Sequence, residues 1–296
     1  MTDGTALRLS VIGLGNMGEP MARRWLAAGY EVHGCDVSEQ ARVRLAAAGG
    51  IAHEAAPPAV EDASVVILML PSSAVVNDVL AGVRTRLAAG TAVIDMSSSE
   101  PAQTRENARA LGEAGVALMD APVSGGVRGA EAGTLTIMAG GPGPLVEYQR
   151  PLLECLGTVI HVGPVGAGHA VKALNNLLSA THLWATSEAV LIAERFGIAP
   201  ETILSVFNAS SGRSGSSEVK WPKFILPGSY DSGFAARLML KDAATAAQLA
   251  RQTGLPSTLA DAVVSLWSRA AEALPPGADH TEIARWIAAS GEPPSP

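Results

Sequence analysis

Lys172, Asn175 and Asn176 stand in a run, Gly166 to Ser179, made otherwise mostly of small and apolar residues. Residues three and four apart share a helix face, so an amine and two amides project together. Asn is a mediocre helix former, and Lys is rarely buried without a partner. An amine flanked by amides suits proton transfer at an oxygen atom. The lysine takes or returns the proton and the amides hold the oxygen or the amine. The alternative is a solvated polar stripe on a surface helix.

Two loop motifs offer complementary chemistry. Asp120 to Leu135 carries Ser124, Gly125 and Gly126, with further glycines at 129 and 133. A hydroxyl beside closely approachable backbone N–H groups suits a carboxylate. A plain turn is the alternative, and the glycine density favours a site. Asp95 to Pro101 presents Ser97, Ser98 and Ser99. Each of these serines either contacts a ligand or caps the helix that Pro101 opens.

The start of the chain supplies a cofactor. The apolar run 7–12 suits a buried parallel strand. It leads into Gly13-Leu14-Gly15-Asn16-Met17-Gly18, and a helical segment follows from Glu19 to Ala28. A GxGxxG between strand and helix makes a tight turn, brings backbone close to a pyrophosphate and packs helix on strand. The diphosphate then lies on the helix N-terminus. A second strand, 30–35, ends at Asp36, eighteen residues after Gly18. An acid there holds both ribose hydroxyls of NAD and repels the 2′-phosphate of NADP. Capping of the next helix is the alternative role for Asp36.

The elements that must position these groups change character once. Short apolar runs at 7–12, 30–35, 64–70, 91–95, 116–119, 134–139 and 158–162 alternate with helical segments. That alternation predicts βαβ units and a mostly parallel, doubly wound sheet. After Gly163-Pro164 the strand pattern stops. A long helix over 167–195 is expected, then helices near 200–209, 235–253, 256–273 and 280–289. The fold class is therefore a Rossmann-type α/β domain, 1–163, followed by an all-helical domain, 164–296. The tail 291–296 is expected to fray.

Composition narrows the function classes. A net charge of −7 with no basic block argues against nucleic acid. No stretch reaches membrane-span length, and the N-terminal residues show no signal pattern. Two cysteines, Cys35 and Cys155, form no disulfide framework and point to a reducing, cytoplasmic setting. They are expected to be small core residues. The six histidines have no metal-ligand spacing, so no metal site is expected.

Taken in order, these motifs resemble the β-hydroxyacid dehydrogenase family, of the 3-hydroxyisobutyrate dehydrogenase and tartronate semialdehyde reductase type. They are Gly13 to Ala22, Asp95 to Pro101, Asp120 to Gly126, and Gly166-Ala167-Gly168 through Lys172 to Asn176. The stretch from Phe234 to Lys241-Asp242 resembles the segment that closes the family's site. Arg24 and Ser98 depart from the usual Asn and Thr, and Arg24 puts local helix packing in question.

The resemblance implies an enzyme that moves a hydride between NAD, with NADP possible, and a small 3-hydroxy acid or its semialdehyde. It implies Lys172 as general acid/base, assisted by Asn176 and Ser124. Ser124, Gly125, Gly126, Asn175 and Lys241 would bind the substrate carboxylate and its neighbours. Gly13 to Gly18, Asp36, Leu70, Pro71, Ser98, Phe234 and Lys241 would line the cofactor. Burial and the positive nicotinamide ring disfavour an ammonium, so Lys172 is expected to titrate below an ordinary lysine. A homodimer or homotetramer burying the long helix is implied too. An imine reductase on the same scaffold, which usually lacks the lysine, and a catalytically silent dinucleotide-binding protein are the competing readings. Pocket size depends on Arg128, Trp221 and Phe234, which sequence alone does not place.

Overall fold

The apolar runs become strands whose alternate side chains are buried on opposite faces of one sheet. In the computed structural model, residues 7–290 are described. The first six residues and the tail 291–296, expected above to fray, lie outside the described residues. The strands are β1 (Arg8–Ile12), β2 (Glu31–Cys35), β3 (Ile51–His53), β4 (Val65–Leu68), β5 (Ala92–Asp95), β6 (Ala117–Asp120), β7 (Val123–Ser124), β8 (Leu135–Gly140) and β9 (Gly157–Gly163). Their order is β3-β2-β1-β4-β5-β6-β8-β7, with β9 also paired to β8. Strands β1 to β6 pair parallel, whereas β6 and β7 meet β8 antiparallel.

Leu9, Val11, Val65, Ile67 and Ile94 belong to the core on one face, and Ile12, Val66, Leu68 and Val93 to the core on the other. Burial on both faces is why these strands read as continuous apolar runs. Helices α1 (Gly18–Ala27), α2 (Glu39–Ala47), α3 (Ala56–Val60), α4 (Ser73–Val83), α5 (Pro101–Gly112), α6 (Gly126–Ala132) and α7 (Gly143–Glu154) connect the strands. Two strands were not foreseen from sequence. β3 and β7 have three and two residues, too short for a period-2 pattern to show.

Helix α8 (Ala167–Arg195) follows as a single element of 29 residues. The chain forms two compact units, the first running to Lys172 and the second starting at Ala173, so the division falls within α8. The second unit continues through α9 (Pro200–Asn208), a π-helical segment (Ser216–Ile225), α10 (Ala236–Thr253), α11 (Thr258–Ala273) and α12 (Ile283–Ser290). The π-helical segment contains Pro222 and follows a Ser/Gly-rich stretch that reads as a separator in sequence. Trp184, packed edge-on against Trp267 at 6.1 Å and Trp286 at 5.9 Å, anchors this unit's core.

A clasp within the second unit makes its stability depend on pH. Asp279 accepts hydrogen bonds from Ser232 Oγ and from the N–H groups of Gly233 and Phe234. The ring of His280 sits beside it, with Nδ1 3.0 Å from the Phe234 carbonyl and Nε2 buried without a partner among the described residues. Burial, aided by the nearby Lys220 ammonium, lowers the His280 pKa to about 4. An unfolded histidine titrates near 6.5, so between these values the unfolded chain binds more protons. Stability from this group is present above pH ~6.5 and is lost as pH falls toward 4, by up to roughly 3 kcal/mol. Urea unfolding at pH 7 and pH 5 should show this loss, and His280→Gln should flatten it. Equal pH sensitivity in the variant would remove His280 as its source.

Candidate active site

The glycine motif occupies the carboxyl end of β1, next to β4, where the strand order reverses. This is where open α/β sheets bind ligands. A Cβ on Gly18 would stand 1.9 Å from the Gly13 carbonyl oxygen, so α1 can approach this turn only through glycine. Gly15 has nothing within 4 Å of such a Cβ, and Gly15 and Asn16 are exposed, which leaves room for a pyrophosphate. The Leu14 side chain is buried in the core, and its backbone N–H donates to Asp36 Oδ2 at 2.7 Å. Met17 is half-buried and packs against the same core.

Asp36 follows β2. Its other oxygen accepts from Ser38 N–H at 2.8 Å, so the carboxylate is held at the rim of the glycine turn. Arg42 comes closer than its sequence distance suggests. It donates to the carbonyls of Asp36 (2.8 Å) and Val37 (3.2 Å). Leu70 and Pro71 follow β4, and Leu70 N–H donates to Ser97 Oγ at 2.9 Å. Ser98, half-buried, adjoins this contact on the loop after β5. These positions follow β1, β2, β4 and β5 at the carboxyl ends of neighbouring strands. Arg24, the departure from the family pattern, donates to the Cys155 carbonyl at 2.6 Å and the Glu131 carbonyl at 3.2 Å. It therefore ties α1 to the ends of α6 and α7. Cys35 is buried as expected, but Cys155 is half-buried, a correction to its reading as a core residue.

Lys172 is 9% exposed, and its Nζ donates to the Val123 carbonyl at 2.8 Å. Val123 and Ser124 make up β7, so the amine is tethered one residue from the serine. Gly125 and Gly126 follow with φ of 130° and 64°, backbone that disfavours a side chain and turns the loop into α6. Gly168 explains how α8 comes this close. A Cβ there would lie 2.2 Å from the Met138 carbonyl oxygen and 2.8 Å from Asp120 Oδ2.

Beneath this tether lies a polar network that sequence reasoning left unassigned. Asp95 and Asp120 end adjacent strands and are paired in register. Both are buried, as is His169. His169 Nε2 lies 3.1 Å from the Ser97 carbonyl and 3.9 Å from Asp95 Oδ2. Its Nδ1 lies 2.8 Å from Thr104 Oγ1 and 3.8 Å from Asp120 Oδ2. Asp120 accepts from Gly166 N–H (2.6 Å) and His169 N–H (2.8 Å). Burial pushes its carboxyl above the ordinary value, against the lowering effect of His169 and both N–H donors. The available signal was two strand-ending acids plus a histidine three residues before Lys172.

In the second unit, Asn176 is buried and its Nδ2 donates to Asp242 Oδ2 at 2.5 Å. Its Oδ1 accepts from Asn175 Nδ2 at 3.2 Å, and Asn175 is otherwise exposed. Lys241 Nζ lies 3.3 Å from Asp242 Oδ1. Asp242 thus sits between Lys241 and Asn176, and the pair is not a plain surface ion pair. Phe234 stacks edge-on with His280 at 5.6 Å. Trp221 belongs to the core, with Nε1 3.3 Å from Ser187 Oγ, and Arg128 is exposed on α6. Among the described residues no His, Cys, Asp or Glu cluster could hold a metal, and no helix is long and apolar enough to cross a membrane.

A glycine-turn cradle on a parallel sheet, followed by a helical unit, defines a nicotinamide-dinucleotide oxidoreductase. The family description "NAD binding domain of 6-phosphogluconate dehydrogenase" matches residues 8–163, and "NAD-binding of NADP-dependent 3-hydroxyisobutyrate dehydrogenase" matches residues 166–287. The chain is 38% identical over 255 residues to the 2-(hydroxymethyl)glutarate dehydrogenase of Eubacterium barkeri, covering 85% of each. It is 38% identical over 270 residues to the NAD-dependent L-serine dehydrogenase of Pseudomonas aeruginosa, covering 88% of this chain and 91% of that one. The structure of Mycobacterium tuberculosis 3-hydroxyisobutyrate dehydrogenase with L-serine matches with a TM-score of 0.90 at 32% identity, over 96% of this chain and 99% of that one. Imine reductase structures match at 19–22% identity, a likeness of fold alone. The chain belongs to the β-hydroxyacid dehydrogenase family.

Proposed function

We propose that this enzyme oxidises a small 3-hydroxy acid, or reduces the matching semialdehyde, with Lys172 as general acid/base and NAD as the preferred dinucleotide. The tether of Lys172 Nζ to the Val123 carbonyl carries the reading, because it sets a buried amine beside Ser124. A bound nicotinamide supplies the hydride acceptor or donor. Lys172 takes the hydroxyl proton in oxidation and returns it in reduction. The Val123 carbonyl fixes where the amine stands. Asn176, oriented by Asp242, is assigned to the lysine amine or the substrate oxygen. Ser124 Oγ and the backbone N–H groups of Gly125 and Gly126 are assigned to the substrate carboxylate. Asn175 and Lys241 remain assigned to substrate, and Phe234 and Lys241 to the cofactor. The relatives' names favour this substrate class, since serine and 2-(hydroxymethyl)glutarate both carry a hydroxyl β to a carboxylate. We further assign the protein to a homo-oligomer in the cytoplasm.

Rates of NADH formation over small hydroxy acids, their methyl esters and the parent alcohols test the reading. Esterification should lower kcat/KM by about 10- to 100-fold, since donors built for a carboxylate lose their partner. Ser124→Ala should cost less, because the glycine N–H groups remain. Esters or simple alcohols that react as well as acids would remove the Ser124-Gly125-Gly126 assignment.

A further inference from the structure

The histidine three residues before Lys172 does more than fill space. Thr104 Oγ1 lies 3.1 Å from the Glu100 carbonyl, which can take its one proton. Its 2.8 Å contact with His169 Nδ1 has the ring as donor when the hydroxyl proton is turned to Glu100. At the other nitrogen, the Ser97 carbonyl can only accept. In that arrangement both ring nitrogens face acceptors. The two carboxylates beside the ring meet only donors. Asp95 accepts from Ser97 N–H at 3.0 Å and Ser99 Oγ at 2.8 Å, and Asp120 accepts from two backbone N–H groups. Two acids buried side by side can both ionise only beside a cation, and His169 lies within 4 Å of both.

We propose that His169 is a positioning residue carried as a buried imidazolium, which locks the first turn of α8 onto the carboxyl ends of β5 and β6 and thereby sets where Lys172 stands. Each contact serves that purpose. Asp120 holds the start of α8 through Gly166 and His169 N–H. The ring holds the Ser97 carbonyl, and Ser97 Oγ accepts from Leu70 N–H, which links the lock to the cofactor rim. Lys172 follows one turn later. A neutral ring would leave two buried carboxylates without compensation, and the helix start would shift away from them. The kinetic part of this proposal rests on Lys172 being the acid/base group.

Three measurements on the full chain test it. NMR of the protein labelled with ¹⁵N-histidine, with His169 assigned through His169→Gln, should show protons on both ring nitrogens at neutral pH. A ring with one bare nitrogen there overturns the proposal, whether or not any variant folds. His169→Gln, similar in size but uncharged, should lower kcat by about 100-fold, the loss expected from misplacing a catalytic group by about 1 Å. The Kd for NAD should change far less, and an unchanged kcat overturns the positioning role. Finally, Asp95→Asn should lower Tm in the natural sequence but raise it in His169→Gln, because there it removes an uncompensated charge. Additive losses overturn the proposal, since they are what a packing role predicts. The NMR and Tm arms stand even if Lys172→Ala remains active, so failure of the two assignments is distinguishable.

Discussion

Lys172→Ala is expected to lower kcat by about two to four orders of magnitude, the range for losing a positioned general acid/base. The KM for NAD should hardly move, because the amine is tied to Val123 and not to the glycine turn. Lys172→Arg sharpens the test. Arginine keeps the positive charge and can still donate to the Val123 carbonyl, but it does not give up its proton in proteins. If the lysine works by titrating, Arg fails about as badly as Ala. If it works only as a fixed charge, Arg recovers much of the rate. Single-turnover measurements with circular dichroism on each variant separate lost chemistry from lost fold. Near-normal turnover in a folded Lys172→Ala protein would sink the assignment.

The features legible in the sequence were those written in contiguous residues. Buried strands such as Val65–Leu68 announce themselves because both faces are covered. The Gly13–Gly18 turn and the Lys172–Asn176 face are local patterns of helix and loop. What stayed hidden depends on register. Asp95 and Asp120 lie far apart in the chain, and only the pairing of β5 with β6 sets them side by side. His169 showed no ligand spacing, since its partners come from other elements. Asp242 adjoins Lys241 in sequence, yet its contact with Asn176 needs α8 and α10 to be packed first. Trp221 looked like a possible pocket wall because aromatic residues serve sites and cores alike, and packing against Ser187 settled it as core. The same limit applied to Arg42, whose fold-back onto the Asp36 and Val37 carbonyls decides how to read the cofactor rim.

Cofactor choice follows from that rim. The carboxylate of Asp36 is pinned by the N–H groups of Leu14 and Ser38, which leaves each oxygen a further lone pair for a ribose hydroxyl. In NADP the 2′-hydroxyl carries a phosphate, so two anions would meet at close range. Such like-charge contacts cost several kcal/mol. Arg42 is the residue that could offset this, being the nearest guanidinium in sequence. It is committed instead to the carbonyls of Asp36 and Val37, with its side chain 17% exposed and Glu54 3.9 Å away. The expected result is a preference for NAD in kcat/KM of about 100-fold, since each 1.4 kcal/mol is a factor of ten. Val37 is 98% exposed, so an arginine there meets no packed neighbour. Asp36→Ser with Val37→Arg should therefore reverse the preference, while Asp36→Ser alone should only narrow it. Steady-state kinetics with both dinucleotides on one substrate decide the matter. An unmodified enzyme that favours NADP would mean that Arg42 leaves the backbone to meet the phosphate and that Asp36 serves the loop alone.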